Sequence, residues 1–264
     1  MRTAHDPHAT LVALHSSGAG ARQWQAYPAL IGPGRPWATP DLLGYAAGET
    51  WSLGDSTSLD AEARRVAPWL GSKDGAPAHL VGHSYGGAVA LQLALTWPER
   101  VASLTLYEPV RFALLRETDP GVWRDIVDAG RRIGALALAG ATAESARVFV
   151  DYWSGAGAWQ RLSAARQSAV ARRMAKVQAE FEALFADPVP VAAYRVLRVP
   201  LRVVRGTASP APARRVAERL AAICPQGELV TLHGADHMAP LTQPERFAAL
   251  LPCAAAHERA AMAA

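Results

Sequence analysis

The stretch HLVGHSYGGAVALQLAL, residues 79–95, passes from an apolar run through a glycine-bracketed serine into a helical pattern. Gly82-His83-Ser84-Tyr85-Gly86 is a G-x-S-x-G turn, and its spacing has a mechanical reason. A strand-to-helix turn this tight strains the serine backbone, and glycines two residues to either side remove the Cβ atoms that would collide. The Ser84 hydroxyl is then expected at the edge of a sheet, beside a helix N-terminus whose amides favour developing negative charge. A strand before the motif and a helix after it make the signal a strong one.

Working outward, short apolar runs alternate with longer helical patterns. Strands are expected at 10–15, 35–41, 78–83, 101–108, 201–206 and 227–233, and helices at 57–70, 85–96 and 210–222. This alternation predicts an α/β protein with a doubly wound, mostly parallel sheet of about six strands. Ligands of such sheets bind outside the carboxyl ends of the strands, so polar residues just past those ends are the candidates for chemistry. From 111 to 198 the periodicity is helical only, and a βα unit needs a single crossover helix. A helical cap over 111–198 is therefore expected, inserted into a core made of 1–110 and 199–264. The tail PCAAAHERAAMAA, residues 252–264, is expected to extend the last helix or to fray.

Composition narrows the function classes. The 264 residues are 50% hydrophobic and 19% charged, which is a core-building balance. The net charge is +4, carried almost wholly by arginines scattered through helical segments, with Lys73 and Lys176 the two lysines. No basic block points to nucleic acid. Cys224 and Cys253 lack ligand spacing, so neither a zinc site nor a disulfide framework is expected. No basic start followed by an apolar segment precedes the first strand, and no run of about 18 apolar residues occurs. A cytoplasmic protein that acts on a small molecule, without membrane or nucleic-acid partners, is expected, as a monomer or a homodimer.

A serine needs a base to lose its proton at neutral pH. Of eight histidines, His233 and His237 lie near the end of the chain in LVTLHGADHMAPLTQPERF, residues 229–247. His233 closes a strand and reads as structural, whereas His237 lies in the loop beyond. Four-residue spacing also suits metal ligands on a helix, but Gly234 and the lack of an HExxH glutamate oppose that reading. His83, inside the turn, is expected to point away from the site.

These motifs resemble the α/β-hydrolase family over nearly the whole chain. LVALHSSGAGARQW, residues 11–24, resembles the family's oxyanion loop, with Ser16 where the usual glycine stands; by position, the N–H groups of Ser17 and Tyr85 would form the oxyanion hole. TPDLLGYAAGE, residues 39–49, resembles an Asp-x-x-Gly-Tyr-Gly segment, matched at Asp41, Gly44 and Tyr45 with Ala46 in the last position. The family's first two strands are expected to be missing. The chain order of the resemblance makes Ser84 the nucleophile and His237 the base, and it implies no metal or organic cofactor.

The family's acid usually stands three residues past the glycine that ends the penultimate strand, and here that residue is Ser209. No carboxylate lies between Gly206 and Glu218. Glu108, at the end of SLTLYEPV (residues 103–110), is the carboxylate at the next strand end from the serine, a position some family members use. Asp236 adjoins the base and Asp41 lies on the far side, so Glu108 is expected to be the acid. The resemblance implies a serine hydrolase that cleaves a small or medium carboxylic ester through an acyl-enzyme. Thioester, lactone or C–C bond hydrolysis and acyl transfer use the same triad, and Ser209 keeps open a binding protein with vestigial catalysis. The substrate pocket is not legible. Cap aromatics Trp123, Phe149, Tyr152, Trp153, Trp159 and Phe181 could line it or form the cap's own core.

Overall fold

The structure, a computed structural model, describes residues 9–32, 35–71 and 75–252. Cys253, Lys73 and nearly all of the tail lie outside the described residues. Six strands form one sheet: β1 (Leu11–Leu14), β2 (Trp37–Ala38), β3 (Ala78–His83), β4 (Val101–Tyr107), β5 (Leu201–Gly206) and β6 (Gly227–Leu232). Their order is β2-β1-β3-β4-β5-β6 and every pairing is parallel. Parallel strands need crossovers that place helices on the faces, so β1 and β3 are buried along their whole length.

Alternation sends neighbouring residues to opposite sides. Val12, Leu14, Leu80, Leu104 and Leu106 pack with the helices Leu59–Val66, Tyr85–Thr96 and Ala211–Ile223. Leu11, Ala13, Val81 and Tyr107 pack on the other face with Trp24, Tyr27 and Phe247. The sheet is therefore doubly wound, and both of its layers converge on the strand ends that carry the site.

Two elements are shorter than their sequence pattern. The strand expected over 35–41 shrinks to two residues because Pro36 and Pro40 bracket it and neither has an N–H for the ladder. The helix expected over 57–70 starts at its Ser58 cap, whose hydroxyl accepts from Ala61 N–H at 3.1 Å. It tightens into a 3₁₀ turn over Ala67–Leu70, where Pro68 cannot continue the α ladder.

Between β4 and β5 the chain is helical, with helices Pro120–Leu138, Thr142–Ser154, Ala164–Ala171, Met174–Phe185 and Val191–Arg195. Its buried face, including Ile126, Ile133, Val177 and Leu184, merges with the apolar cluster above the sheet. Two buried cations stand where this insertion meets the sheet layer. Arg111 pairs with Asp187 at 2.6 Å and donates to Gln92 Oε1 at 2.8 Å. Lys176 pairs with Glu62 at 2.5 Å, with Glu180 at 3.3 Å. A buried charge is tolerated only when paired, so each of these contacts fixes the insertion's seat. Among the described residues, no helix is long and apolar enough to cross a membrane.

Candidate active site

β3 hands over to its helix at Ser84, whose backbone sits at φ 54°, ψ −118°. A Cβ at Gly82 would lie 2.6 Å from Gly87 Cα, and one at Gly86 would overlap the carbonyls of Leu14 and His15. Both glycines are thus required by close packing at the turn. Ser84 N–H donates to Tyr107 O at 3.0 Å, and Ser84 O accepts from Ala88 N–H and Val110 N–H. The strained residue is held by the end of the adjacent strand, which continues directly into Glu108.

Glu108 and Ser84 are the two non-glycine residues with positive φ among the described residues, at 44° and 54°. Strain of this kind persists only where the surroundings over-determine it. Glu108 N–H donates to Val204 O at 2.9 Å, and the side chain, fully buried, uses both oxygens. Oε1 accepts from Gly206 N–H at 2.7 Å, and Oε2 lies 2.6 Å from His237 Nδ1. The carboxylate at the end of β4 therefore faces the imidazole. The competing carboxylates are engaged elsewhere: Asp236 Oδ1 accepts from Met238 N–H, and Asp41 Oδ1 accepts from Ala21 N–H. Ser209 is buried beyond β5.

His237 is almost wholly buried, with Trp153 of the insertion stacked on its ring at 4.3 Å between centroids and 29° between planes. The Nδ1 contact with Glu108 leaves Nε2 as the nitrogen free for other chemistry. Among the described residues, no hydrogen bond joins Ser84 Oγ to His237. His83 departs from expectation. Instead of pointing clear of the site, its ring lies 5.0 Å from that of His237, and its Nε2–H donates to His237 O at 2.7 Å. Alternation along β3 sends His83 to the face over which the His237 loop folds. Burial, followed by the nearby His237, pushes its pKa well down, so it is a neutral donor. His233 is exposed, and its carbonyl accepts from Arg246. Among the described residues, no group of histidines, cysteines and carboxylates could hold a metal ion.

The loop after β1 is built around Ser16. Its N–H and hydroxyl both donate to Gln23 Oε1 at 2.9 Å, and its carbonyl accepts from Ala19 N–H at 3.2 Å. His15 Nδ1 lies 2.9 Å from the same carbonyl, and Nε2 accepts from Leu42 N–H at 3.1 Å. This network assigns the His15 proton to Nδ1. In a trans peptide the C=O and the next N–H point to opposite sides, so anchoring Ser16 O turns Ser17 N–H outward. Among the described residues, neither Ser17 N–H nor Tyr85 N–H has an acceptor within the protein.

Burial lowers the His15 pKa to about 4. The unfolded chain therefore binds a proton below the ordinary value of 6.5 that the fold refuses. The resulting stability is complete above that value and is lost as pH falls towards 4. Integrated at pH 5 it amounts to roughly 2 kcal/mol, with His83 adding in the same direction. Thermal melts should show a midpoint several degrees lower at pH 5 than at pH 7.5, with a smaller pH dependence in His15→Gln.

The insertion's aromatic residues divide. Trp153 reaches the imidazole, supported by Phe112 at 6.4 Å and Tyr152 at 4.9 Å. Phe149 stands over Gly18, 3.8 Å from where a Cβ would be. Trp123 packs on Phe185 and beneath the Arg116 guanidinium, and Phe181 packs between Phe149 and Phe185. Trp159 is partly buried against the apolar cluster, with its backbone N–H on Asp151. Trp123 and Phe181 thus serve the insertion's own packing. Gln23, Arg173 and Glu180, which surround the loop, belong to no motif and were not legible in the sequence; their contacts span 7 to 155 residues.

The model of the alpha/beta hydrolase family matches residues 11–250. The chain belongs to the alpha/beta hydrolase family. This hydrolase is 35% identical over 121 residues to Lipase LipV of Mycobacterium tuberculosis, a match covering 46% of this chain and 43% of that protein. It is also 35% identical over 103 residues to 2-hydroxy-6-oxo-6-phenylhexa-2,4-dienoate hydrolase of Burkholderia cepacia, covering 38% and 36%. The matches thus span less than half the length of these curated relatives. Among solved structures, a hydrolase from Pseudomonas aeruginosa superposes with a TM-score of 0.72 over 94% of this chain and 91% of that one, at 23% identity. That likeness speaks for the fold alone.

Proposed function

We propose that this hydrolase cleaves small or medium uncharged carboxylic esters through an acyl-enzyme on Ser84. The observation that carries the reading is the 2.6 Å contact between Glu108 and His237 Nδ1, one strand end from a serine held in a strained turn. In this reading Ser84 Oγ attacks the ester carbonyl while His237 Nε2 takes its proton, and the N–H groups of Ser17 and Tyr85 receive the oxyanion. His237 then returns the proton to the leaving alcohol, and water, activated by the same imidazole, releases the acid. Glu108 holds the tautomer and stabilises the imidazolium. The face of Trp153 against that ring favours its charged form. The helical insertion serves as a cap that brings Trp153 and Phe149 over the reacting centre and excludes water.

A C–C bond hydrolase of the kind named among the relatives is the second reading, and charge separates the two. A dienoate substrate carries a carboxylate that needs a cation. The buried arginine and lysine among the described residues, Arg111 and Lys176, are already paired with Asp187 and with Glu62 and Glu180. Transferring an unpaired carboxylate into such a site is costly. Wild-type protein should hydrolyse 4-nitrophenyl butyrate at least roughly tenfold more efficiently, in kcat/KM, than the matching 4-nitrophenyl hemiester of a dicarboxylic acid. Preference for the hemiester, or turnover of a 2-hydroxy-6-oxo-dienoate and not of esters, would overturn the ester reading. A protein that binds esters and turns none over would instead be a binding module on a hydrolase fold.

A further inference from the structure

We infer that Arg173, in the insertion, is a positioning residue that sets the oxyanion hole from outside the hydrolase core. It stands between the helices Ala164–Ala171 and Met174–Phe185. From there Nη1 donates to Gly18 O at 2.8 Å and to Ala19 O at 2.6 Å. One nitrogen with two N–H bonds thus grips two consecutive carbonyls of the loop after β1. Its guanidinium also lies 5.0 Å over the Tyr45 ring, and Tyr45 Oη accepts from Gly18 N–H at 2.8 Å. The loop is held from both faces of the Gly18 residue.

The grip reaches the oxyanion donor through two peptide planes. Pulling Gly18 O towards the guanidinium turns Ala19 N–H the opposite way, and there it meets Ser16 O at 3.2 Å. Anchoring Ser16 O in turn fixes the direction of Ser17 N–H, the donor proposed for the oxyanion. An oxyanion donor acts by being aimed before the charge develops, so its direction is what Arg173 supplies. Seating the insertion and completing the oxyanion hole are then one event, because the same side chain does both. Gly20 belongs to the same contact: a Cβ there would come within 3.3 Å of Arg173 Nη2.

This inference rests on the ester-hydrolase reading, and the experiment separates the two. Arg173→Ala and Arg173→Lys are compared with wild type for kcat and KM on 4-nitrophenyl butyrate. They are also compared for affinity towards an arylboronic acid, which becomes tetrahedral on the serine, and towards a competing aryl amide, which stays trigonal. Arg173→Ala should lower kcat by about 10- to 100-fold with KM changed less than about threefold. Boronate affinity should fall in step with kcat and amide affinity should hold. Arg173→Lys, keeping a donor at shorter reach, should fall between. A variant with unchanged kcat, or with boronate and amide affinity weakened equally, overturns the role of Arg173. Wild type that neither turns over the ester nor binds the boronate refutes the ester-hydrolase reading itself.

Discussion

Glu108→Gln is expected to lower kcat by about 10⁴ while leaving the fold intact. The amide keeps an oxygen to accept from Gly206 N–H, so the strand end stays tied. What changes is the other half of the group. An NH₂ turned towards His237 Nδ1 either repels the Nδ1 proton or forces it to Nε2, and then the imidazole cannot accept the proton of Ser84. It also removes the negative charge that balances the imidazolium. Ser209→Ala is the control, because Ser209 occupies the family's usual acid position, and its kcat should stay within about threefold of wild type. Steady-state kinetics on a neutral ester, with circular dichroism to check the fold, decides the matter. Glu108→Gln activity within tenfold of wild type would place the acid elsewhere.

Ser84→Ala should be more severe, with kcat lower by about 10⁶. Alanine can adopt the same backbone, and the bonds that hold the turn, from Ser84 N–H to Tyr107 O and from Ala88 N–H to Ser84 O, involve no side chain. The melting midpoint should therefore change little, and the loss is chemical. A fluorophosphonate probe should label wild type and not the variant. Ester hydrolysis that persists in pure Ser84→Ala would end the serine mechanism. The two substitutions together should cost little more than Ser84→Ala alone, since groups acting as one unit do not add.

The sheet and the strand-end residues were legible because their causes are local. Alternation marks β1 and β3 to β6, the paired glycines mark the turn at Ser84, and a carboxylate ending a strand where Ser209 lacks one marks Glu108. The shortening of β2 was legible too, in Pro36 and Pro40, but the apolar pattern was allowed to outweigh them. The contacts that shape the site were not. Lys176 meets Glu62 across 114 residues and Arg173 meets Gly18 across 155. Spacing carries no information at that range, because such pairs are set by where the insertion comes to rest. His83 was misread for a related reason: its direction follows from strand alternation, but what it meets depends on how the His237 loop folds back.

Gly206 N–H, at the end of β5, grips the carboxylate that arrives from β4. In historical terms, this lets a catalytic acid change its address. A chain with carboxylates at both strand ends could present either to the one imidazole, so an ancestor holding two could lose one without a sterile intermediate. Once the β4 seat is filled, the turn that begins with Thr207 and Ala208 is released from catalytic selection and answers only to packing. Sequence drift should concentrate there, while the backbone of Gly206 stays fixed by a side chain that belongs to another strand.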